Sequence, residues 1–203
     1  AAISVAVGGV GILSSASQSA AVFSGFAFPN SKITFLKDGQ IINTIFTGAD
    51  ASFQLNISNL SDGNYIFSIY GQDSKGYSSP LVNFPVDVIS GVTTKIAGVL
   101  IPPTTGVDKS EVKQGDKITI FGQTIPGAEV NILVNSEKEF FVKTNADISG
   151  NYLYSFDTIQ LELGDHSVKV KFIFNGAISA FGKIVDFRVG TRNISAEPGP
   201  RCP

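Results

Sequence analysis

Apolar and polar residues alternate with a period of two along most of this 203-residue chain. In the segment 52–57, for example, Phe53, Leu55 and Ile57 alternate with polar residues. This is the period of a β-strand with one buried and one solvated face. No helix of three turns is expected, so the predicted fold class is all-β. The pattern predicts strands at 20–28, 32–37, 40–46, 52–57, 64–72, 81–88, 92–101, 117–123, 128–135, 139–144, 152–157, 166–174 and 180–189.

A repeat divides this pattern into two copies. The segment GFAFPNSKITF, which begins at Gly25, returns 97 residues later as GQTIPGAEVNI, which begins at Gly122. In both copies a proline follows the glycine by four positions. A period of this length suits a whole small β-sandwich rather than a solenoid repeat. We therefore expect two tandem antiparallel β-sandwich domains, with turn-forming residues at Gly25, Pro29, Gly122, Pro126 and Gly150.

The boundary between the two copies is predicted at the segment PPTTG, residues 102–106. Pro102 and Pro103 cannot donate ladder hydrogen bonds, and they stiffen the chain. The expected organisation is an apolar N-terminal strand at 1–19, a first domain at 20–101, a Pro-rich linker at 102–106, a second domain at 107–190 and a Pro-rich tail at 191–203.

The first 13 residues, AAISVAVGGVGIL, are all apolar or small. The run is shorter than the roughly 18–20 residues that span a bilayer, and its β-branched content favours a strand. Three interpretations stay open: the core of a signal peptide, an edge strand of the first domain, or a donor strand that completes the sheet of a neighbouring molecule. The third makes an assembly interface of Ile3, Val5, Val7, Val10 and Ile12.

Charge is scarce and unevenly distributed. Charged residues make up 16% of the chain, against about 25% in typical soluble domains. The first charged side chain is that of Lys32, and residues 1–100 contain neither Arg nor Glu. An uncharged stretch of this length is expected to pack against protein. The net charge of −2 provides no basic surface for nucleic acid, so that partner is excluded.

Residues suited to catalysis are few. His166 is the only histidine, and no G-x-S-x-G motif accompanies it. Cys202 is the only cysteine, so it is either an inert residue of the tail or an intermolecular link. We expect neither an enzyme nor a cofactor.

The sequence contains candidate residues for two kinds of binding site, one for calcium and one for a glycan. Asp147, Ser149 and Asn151 alternate along one turn, so their side chains form a weak calcium candidate. Asp and Asn also close turns by hydrogen bonds from their side chains to nearby backbone, and this is the interpretation that we favour. A glycan is a candidate partner because tyrosines form platforms for sugars, but the chain has no tryptophan and packing within the sheets is the explanation that we favour for these tyrosines. The remaining residues considered are Asp50, Asp73 and Ser74 for calcium, and Tyr70, Tyr77, Tyr152 and Tyr154 for a glycan.

Three segments resemble those of bacterial Ig-like surface domains. The spacing Asp147-x-x-Gly150-x-Tyr152 is similar to the turn and aromatic signature of such modules. GQTIPGAEVNI resembles their opening strands, and LELGDHSVKVKF resembles a late strand. The resemblance covers about residues 20–190 and implies two tandem Ig-like β-sandwiches in an exported protein.

These observations lead to two expectations for function. The first is a secreted or cell-surface structural subunit that self-associates into a homopolymer or surface array by donation of β-strands and does not span the membrane. The second is an Ig-like spacer, adhesion or carbohydrate-binding module of a larger secreted protein. The position of residues 1–15, in their own domain or in the next molecule, distinguishes the two.

Overall fold

The structure, a computed structural model, describes residues 19–197. This part of the chain contains only strands, turns and one short 3-10 helix at Thr158–Gln160, which confirms the all-β fold class. The strands are β1 (Ala20–Phe26), β2 (Lys32–Lys37), β3 (Gln40–Phe46), β4 (Ser52–Ser58), β5 (Gly63–Gln72), β6 (Val82–Val88), β7 (Thr93–Leu100), β8 (Gly106–Val107), β9 (Lys109–Lys113), β10 (Lys117–Gln123), β11 (Glu129–Asn135), β12 (Glu139–Asn145), β13 (Asn151–Asp157), β14 (Gly164–Phe174), β15 (Ala177–Ile178), β16 (Val185–Gly190) and β17 (Ile194–Ser195).

Strands β1 to β7 form the N-terminal sandwich, which has two sheets. One sheet has the order β4-β1-β7 and the other β3-β2-β5-β6. Neighbouring strands are antiparallel except β1 and β7, which run parallel. The hairpin between β2 and β3 turns at Asp38 and Gly39, with φ angles of 50° and 81°. Positive φ at both turn residues matches the right-handed twist of the strands, as the Asp-Gly pair predicts.

Strands β8 to β17 form the C-terminal sandwich. Its smaller sheet has the order β13-β10-β8, and its larger sheet has the order β12-β11-β14-β16-β9-β17, with β15 attached to β14. By the repeat of 97 residues, β10 corresponds to β1. On the side away from β13, β10 pairs with the antiparallel two-residue strand β8. On the side away from β4, β1 pairs with the parallel strand β7. The two sandwiches therefore close this edge in different ways.

Each sandwich has its own hydrophobic core. The core of the N-terminal sandwich lies within residues 21–101 and is rich in phenylalanine. At its centre, the ring of Phe23 lies 5.1 Å from Phe67 and 6.0 Å from Phe35, between ring centroids. The core of the C-terminal sandwich lies within residues 107–196 and is mostly Val and Ile. Both cores are built from the alternate residues that the period of two places on one face.

The structure corrects two predicted elements. The strand predicted at 180–189 begins only at Val185, because the chain before it bulges: the amides of Ser179 and Gly182 donate to the carbonyls of Phe172 and Val170, so a step of three residues stands against a step of two. The tail predicted from residue 191 is not wholly free of the sheets, because β17 pairs with β9. Strand β9 was not predicted, since Val112 is its one fully buried apolar residue and gives too little alternation.

Substitution of Phe23 tests the aromatic core. Phe23→Ala is expected to lower the free energy of unfolding by about 3–5 kcal/mol, because a fully buried ring leaves a cavity. Urea denaturation followed by circular dichroism measures the change. The control is Phe141→Ala, at a side chain that is 69% exposed, which should change stability by about 0.5 kcal/mol or less. Equal effects of the two substitutions would refute this account of the core.

Candidate functional site

The predicted linker is a buried part of the structure. Residues 101–107 are all buried, and Gly106 and Val107 belong to strand β8. Segments that connect independent units normally lie at the surface, because their backbone groups need water. Here the backbone and side chains of the segment find partners in both sandwiches, and we call this region the junction.

Thr104 is the central residue of the junction, and each of its polar atoms is hydrogen-bonded. Its side-chain hydroxyl donates to the Oδ2 atom of Asp73, over 2.7 Å, and accepts from the backbone amide of Gln123, over 2.9 Å. Its backbone amide donates to the carbonyl of Gln123, over 3.1 Å. Its carbonyl accepts from the hydroxyl of Tyr152, over 2.6 Å. One fully buried residue thus joins a loop of the N-terminal sandwich to β10 and β13 of the other.

Asp73 supplies the N-terminal side of this network. Its carboxylate is buried, and its Oδ1 atom accepts from the backbone amides of Lys75 and Tyr77, both over 2.9 Å. The second oxygen is then held toward Thr104. A buried carboxylate requires such bonds, because an unpaired buried charge is costly. Asp73 was considered as a calcium ligand from the sequence, and in the structure it closes a loop and bonds the junction.

Tyr152 supplies the C-terminal side. Burial raises the pKa of its hydroxyl well above the ordinary value, a hydrogen bond with Thr105 acts in the opposite direction, and the negative charge of Asp73 raises the pKa further. The neutral hydroxyl is therefore the form that the junction requires, since it is the form that donates to Thr104. Because Tyr152 is buried, it does not belong to an exposed platform for a glycan.

Apolar contacts surround the polar network. The ring of Phe26 in β1 lies 5.5 Å from the ring of Phe174 in β14, between centroids. Tyr77 and Phe121 make an edge-to-face pair at 5.6 Å. Arrangements of this kind stabilise aromatic pairs beyond the area that they bury. The sandwiches are thus in contact through both apolar and polar side chains.

The repeated glycines allow close approach of backbone. Gly25 and Gly122, predicted to form turns, lie inside β1 and β10 instead. A Cβ atom would lie 1.9 Å from the carbonyl oxygen of Val99 in the first case and 2.0 Å from that of Thr104 in the second. Both positions therefore exclude a side chain, and the repeat preserves a contact between strands rather than a turn.

The other predicted turn residues do lie in turns or bends. Pro29 and Pro126 are in tight turns between strands, and Gly150 is in a bend with a φ of 75°. Gly150 also touches the other sandwich, since an added Cβ would lie 2.8 Å from a ring carbon of Pro29.

The calcium candidates form a hydrogen-bonded turn. The Oδ1 atom of Asp147 accepts from the backbone amides of Ser149 and Asn151, both over 2.8 Å. Ser149 and Asn151 line a cavity of about 530 Å³ at the junction, but Lys75 lines it too, and its positive charge opposes a cation there. Within residues 19–197 no group of three His, Cys, Asp or Glu residues gathers as a metal site. The arrangement favours the turn.

His166 is placed as a structural residue. It lies in β14, is buried, and its Nε2 atom hydrogen-bonds with the carbonyl of Glu162 over 2.9 Å. Its ring stacks at a tilt on Phe187, with 5.6 Å between centroids. A general base has to reach a substrate proton, and in this structure the hydrogen bond and the ring contact of His166 are both internal.

The predicted assembly residues lie outside the described part of the chain. The apolar residues of this set all precede Ser19: Ile3, Val5, Val7, Val10 and Ile12. Cys202 follows the last described residue, so the roles of all six stay predictions. Between Ser19 and residue 197, no helix is both long and apolar enough to cross a membrane.

Similarity to known proteins is found among solved structures. No family model matches the chain, and no curated protein matches it. Among solved structures, the chain is similar to a crystal structure of a tetra-tandem repeat in the extending region of a large adhesion protein, with 17% sequence identity and a TM-score of 0.34. The match covers 86% of this chain and 50% of that one, so the chain spans about half the length of the matched structure.

Removal of the Tyr152 hydroxyl tests the network at the junction. Tyr152→Phe is expected to lower the free energy of unfolding by about 1–3 kcal/mol, because the buried Thr104 carbonyl loses its donor. The effect also depends on pH. Since the folded-state pKa is raised, the contribution of Tyr152 is complete below its unfolded pKa, about 10, and is lost as pH rises above that value.

Urea denaturation from pH 7 to about pH 11 measures both effects, and stability in the alkaline range should fall more steeply in the wild type than in Tyr152→Phe. Tyr154→Phe, on the same face of β13, is the control and should resemble the wild type. If Tyr152→Phe and Tyr154→Phe had the same stability and pH dependence, the role assigned to Tyr152 would be wrong.

Proposed function

We propose that this chain is a non-catalytic, extracellular structural subunit of a surface assembly or filament. Its domains, at 20–101 and 107–190, act as one unit held at the junction. Subunits are linked when the apolar segment at the start of one chain adds as a strand to a sheet of the next. Addition of a strand provides a row of backbone hydrogen bonds as well as apolar contacts, and both suit a durable link between subunits.

The buried junction is the observation that carries this proposal. Thr104 bonds Asp73 on one side and Gln123 and Tyr152 on the other, and aromatic pairs flank these bonds. Contacts of this kind oppose rotation of one sandwich against the other, whereas an exposed linker permits it. A fixed orientation is what a subunit needs if it transmits position or load along an assembly.

The distribution of charge supports the link between subunits. The 31 residues before Lys32 carry no charge, and residues 3–12 alternate β-branched and small residues over much of their length. A segment of this kind is suited to a place in a sheet. Extracellular placement rests on the resemblance to Ig-like surface domains carried by Asp147, Gly150 and Tyr152.

A spacer or adhesion module in a larger secreted protein is the second candidate, because the same junction would hold two spacer domains in a fixed orientation. The two candidates differ in what residues 1–15 do. In a spacer they belong to their own first domain, and the protein is monomeric. In a subunit they reach the neighbouring molecule.

Deletion of residues 1–15 separates the two candidates. The full chain is expected to form oligomers or filaments, and the truncated chain folded monomers, because the donor strand is gone. Size-exclusion chromatography with light scattering and negative-stain electron microscopy measure assembly, and circular dichroism reports folding. Deletion of residues 198–201, which keeps Cys202, is the control and should leave assembly intact. Normal assembly of the chain truncated at its start would contradict the proposal.

A further inference from the structure

The edges of the sheets differ in how well they are protected against a further strand. Natural sheets guard their edges with charged residues, proline, bulges or very short strands. Strand β6 has Pro85 and Asp87, and β7 has Lys95 and an irregular register at Gly98. The edge strands β8 and β17 have only two residues each. These edges are therefore poor acceptors.

Strand β3 lacks most of this protection. It is seven residues long, and the chain carries no charge from Gly39 to Ala49. Ile41 and Phe46 are 65% and 73% exposed, and Ile42 is also exposed. A bulge at Ile42 is its one irregularity. The edge strand β4 is also uncharged, but its apolar residues face the core and its exposed ones are polar. The edge strand β13 exposes one large apolar residue, Leu153, and ends in Asp157. Three exposed apolar residues on a wholly uncharged edge strand therefore distinguish β3.

The C-terminal sandwich provides an internal comparison. Its strand β12 has the place that β3 has in the N-terminal sandwich, as the outermost neighbour of β11 and β2 respectively. The pairing registers show which residues are equivalent. Lys143 of β12 pairs with Asn131, and Thr44 of β3 pairs with Thr34, which lies 97 residues before Asn131, so Lys143 and Thr44 occupy the same place. Lys143 forms an ion pair with Glu129, over 2.8 Å. The same place is therefore charged in one copy and uncharged in the other.

A groove beside β3 adds room for the side chains of an added strand. A cavity of about 470 Å³ opens beside the end of β3 and extends over β4 and β1; its lining includes Ile45 and Phe46 of β3, Ser52 and Phe53 of β4, and Ser24 and Phe26 of β1. A strand that pairs with β3 points every second side chain to one face of the sheet. Apolar side chains spaced by two residues would cover Phe46 and the groove.

We infer that β3 of the N-terminal sandwich is the acceptor edge for residues 3–12 of a second copy of this chain. The inference rests on the proposed function and names its acceptor. Residues 3, 5 and 7 are Ile, Val and Val, two positions apart, as the groove requires. Donor and acceptor are both uncharged, so no charge is buried without a partner when they pair. Eighteen residues precede Ser19, which is more than a seven-residue pairing with β3 uses.

A single carboxylate on β3 tests the acceptor. Thr44→Glu places a negative charge on the edge of β3. In the other sandwich the equivalent position holds Lys143, which pairs with Glu129, and the residue equivalent to Glu129 is Lys32. A glutamate at position 44 would therefore have Lys32 as an ion-pair partner, so the fold should tolerate it. The added charge would be desolvated by an incoming strand. In the full chain, Thr44→Glu is expected to abolish assembly, while its midpoint of thermal unfolding stays near that of the monomeric chain that lacks residues 1–15, because assembly itself stabilises the folded state. Phe141→Glu, on the exposed edge of β12, is the matched control and should assemble normally.

Mixing two defective full chains identifies the occupant. The chain with Thr44→Glu retains its donor segment, and a chain with Val5→Glu and Val7→Glu retains its acceptor edge. Each alone is expected to be monomeric. An equal mixture should give a heterodimer of about 43 kDa, twice the 21.4 kDa of one chain, by light scattering.

Each other outcome contradicts a different part of the inference. If Thr44→Glu assembles normally while deletion of residues 1–15 prevents assembly, β3 is not the acceptor, and the proposed function stands. If the chain with Val5→Glu and Val7→Glu dimerises alone, β3 pairs with β3 of the second copy. If the mixture stays monomeric although the wild type assembles, complementation between donor and β3 is refuted. If the wild type itself is monomeric, the proposed function fails.

Discussion

The arrangement of this protein depends on a single buried threonine between two β-sandwiches. Thr104 hydrogen-bonds through its amide, its carbonyl and its hydroxyl, so its place in the chain determines where Asp73 and Tyr152 can stand. A buried polar residue with every group satisfied costs little and specifies one geometry, whereas a partly satisfied one destabilises the structure. The junction is therefore a constraint on both halves at once. Apolar contacts add stability there, but the hydrogen bonds set the register.

The two sandwiches share a plan and differ in how they complete it. Gly25 and Gly122 occupy equivalent positions, and each lies against a backbone carbonyl. In the first copy the carbonyl belongs to β7, and in the second it belongs to the junction. The differences lie at the edges: β12 carries charged residues, and β3 does not. A repeated fold thus supplies two similar cores with edges of different chemistry.

The central strands are predictable from the sequence because their alternation is strong. The predictions at 32–37 and 117–123 coincide with β2 and β10. Strand β9 escapes because Val112 is its only fully buried apolar residue, so that charged residues mask the period. The role of Thr104 could not be predicted, because a threonine between prolines and a glycine has the composition of a linker. Its partners lie 31 residues earlier and 19 later, and local pattern carries no information about contacts at that distance.

The parallel pairing of β1 with β7 has a consequence for how the chain folds. The first strand of the N-terminal sandwich is bonded to its last, so the sheet cannot close until Leu100 has joined Phe26. Contacts between distant parts of a chain slow folding, because the loop between them must be ordered first. During synthesis, the phenylalanine core and the uncharged β3 edge are therefore both present on an unfinished domain. Exposed apolar surface and an unpaired strand edge are the features that favour association between incompletely folded chains.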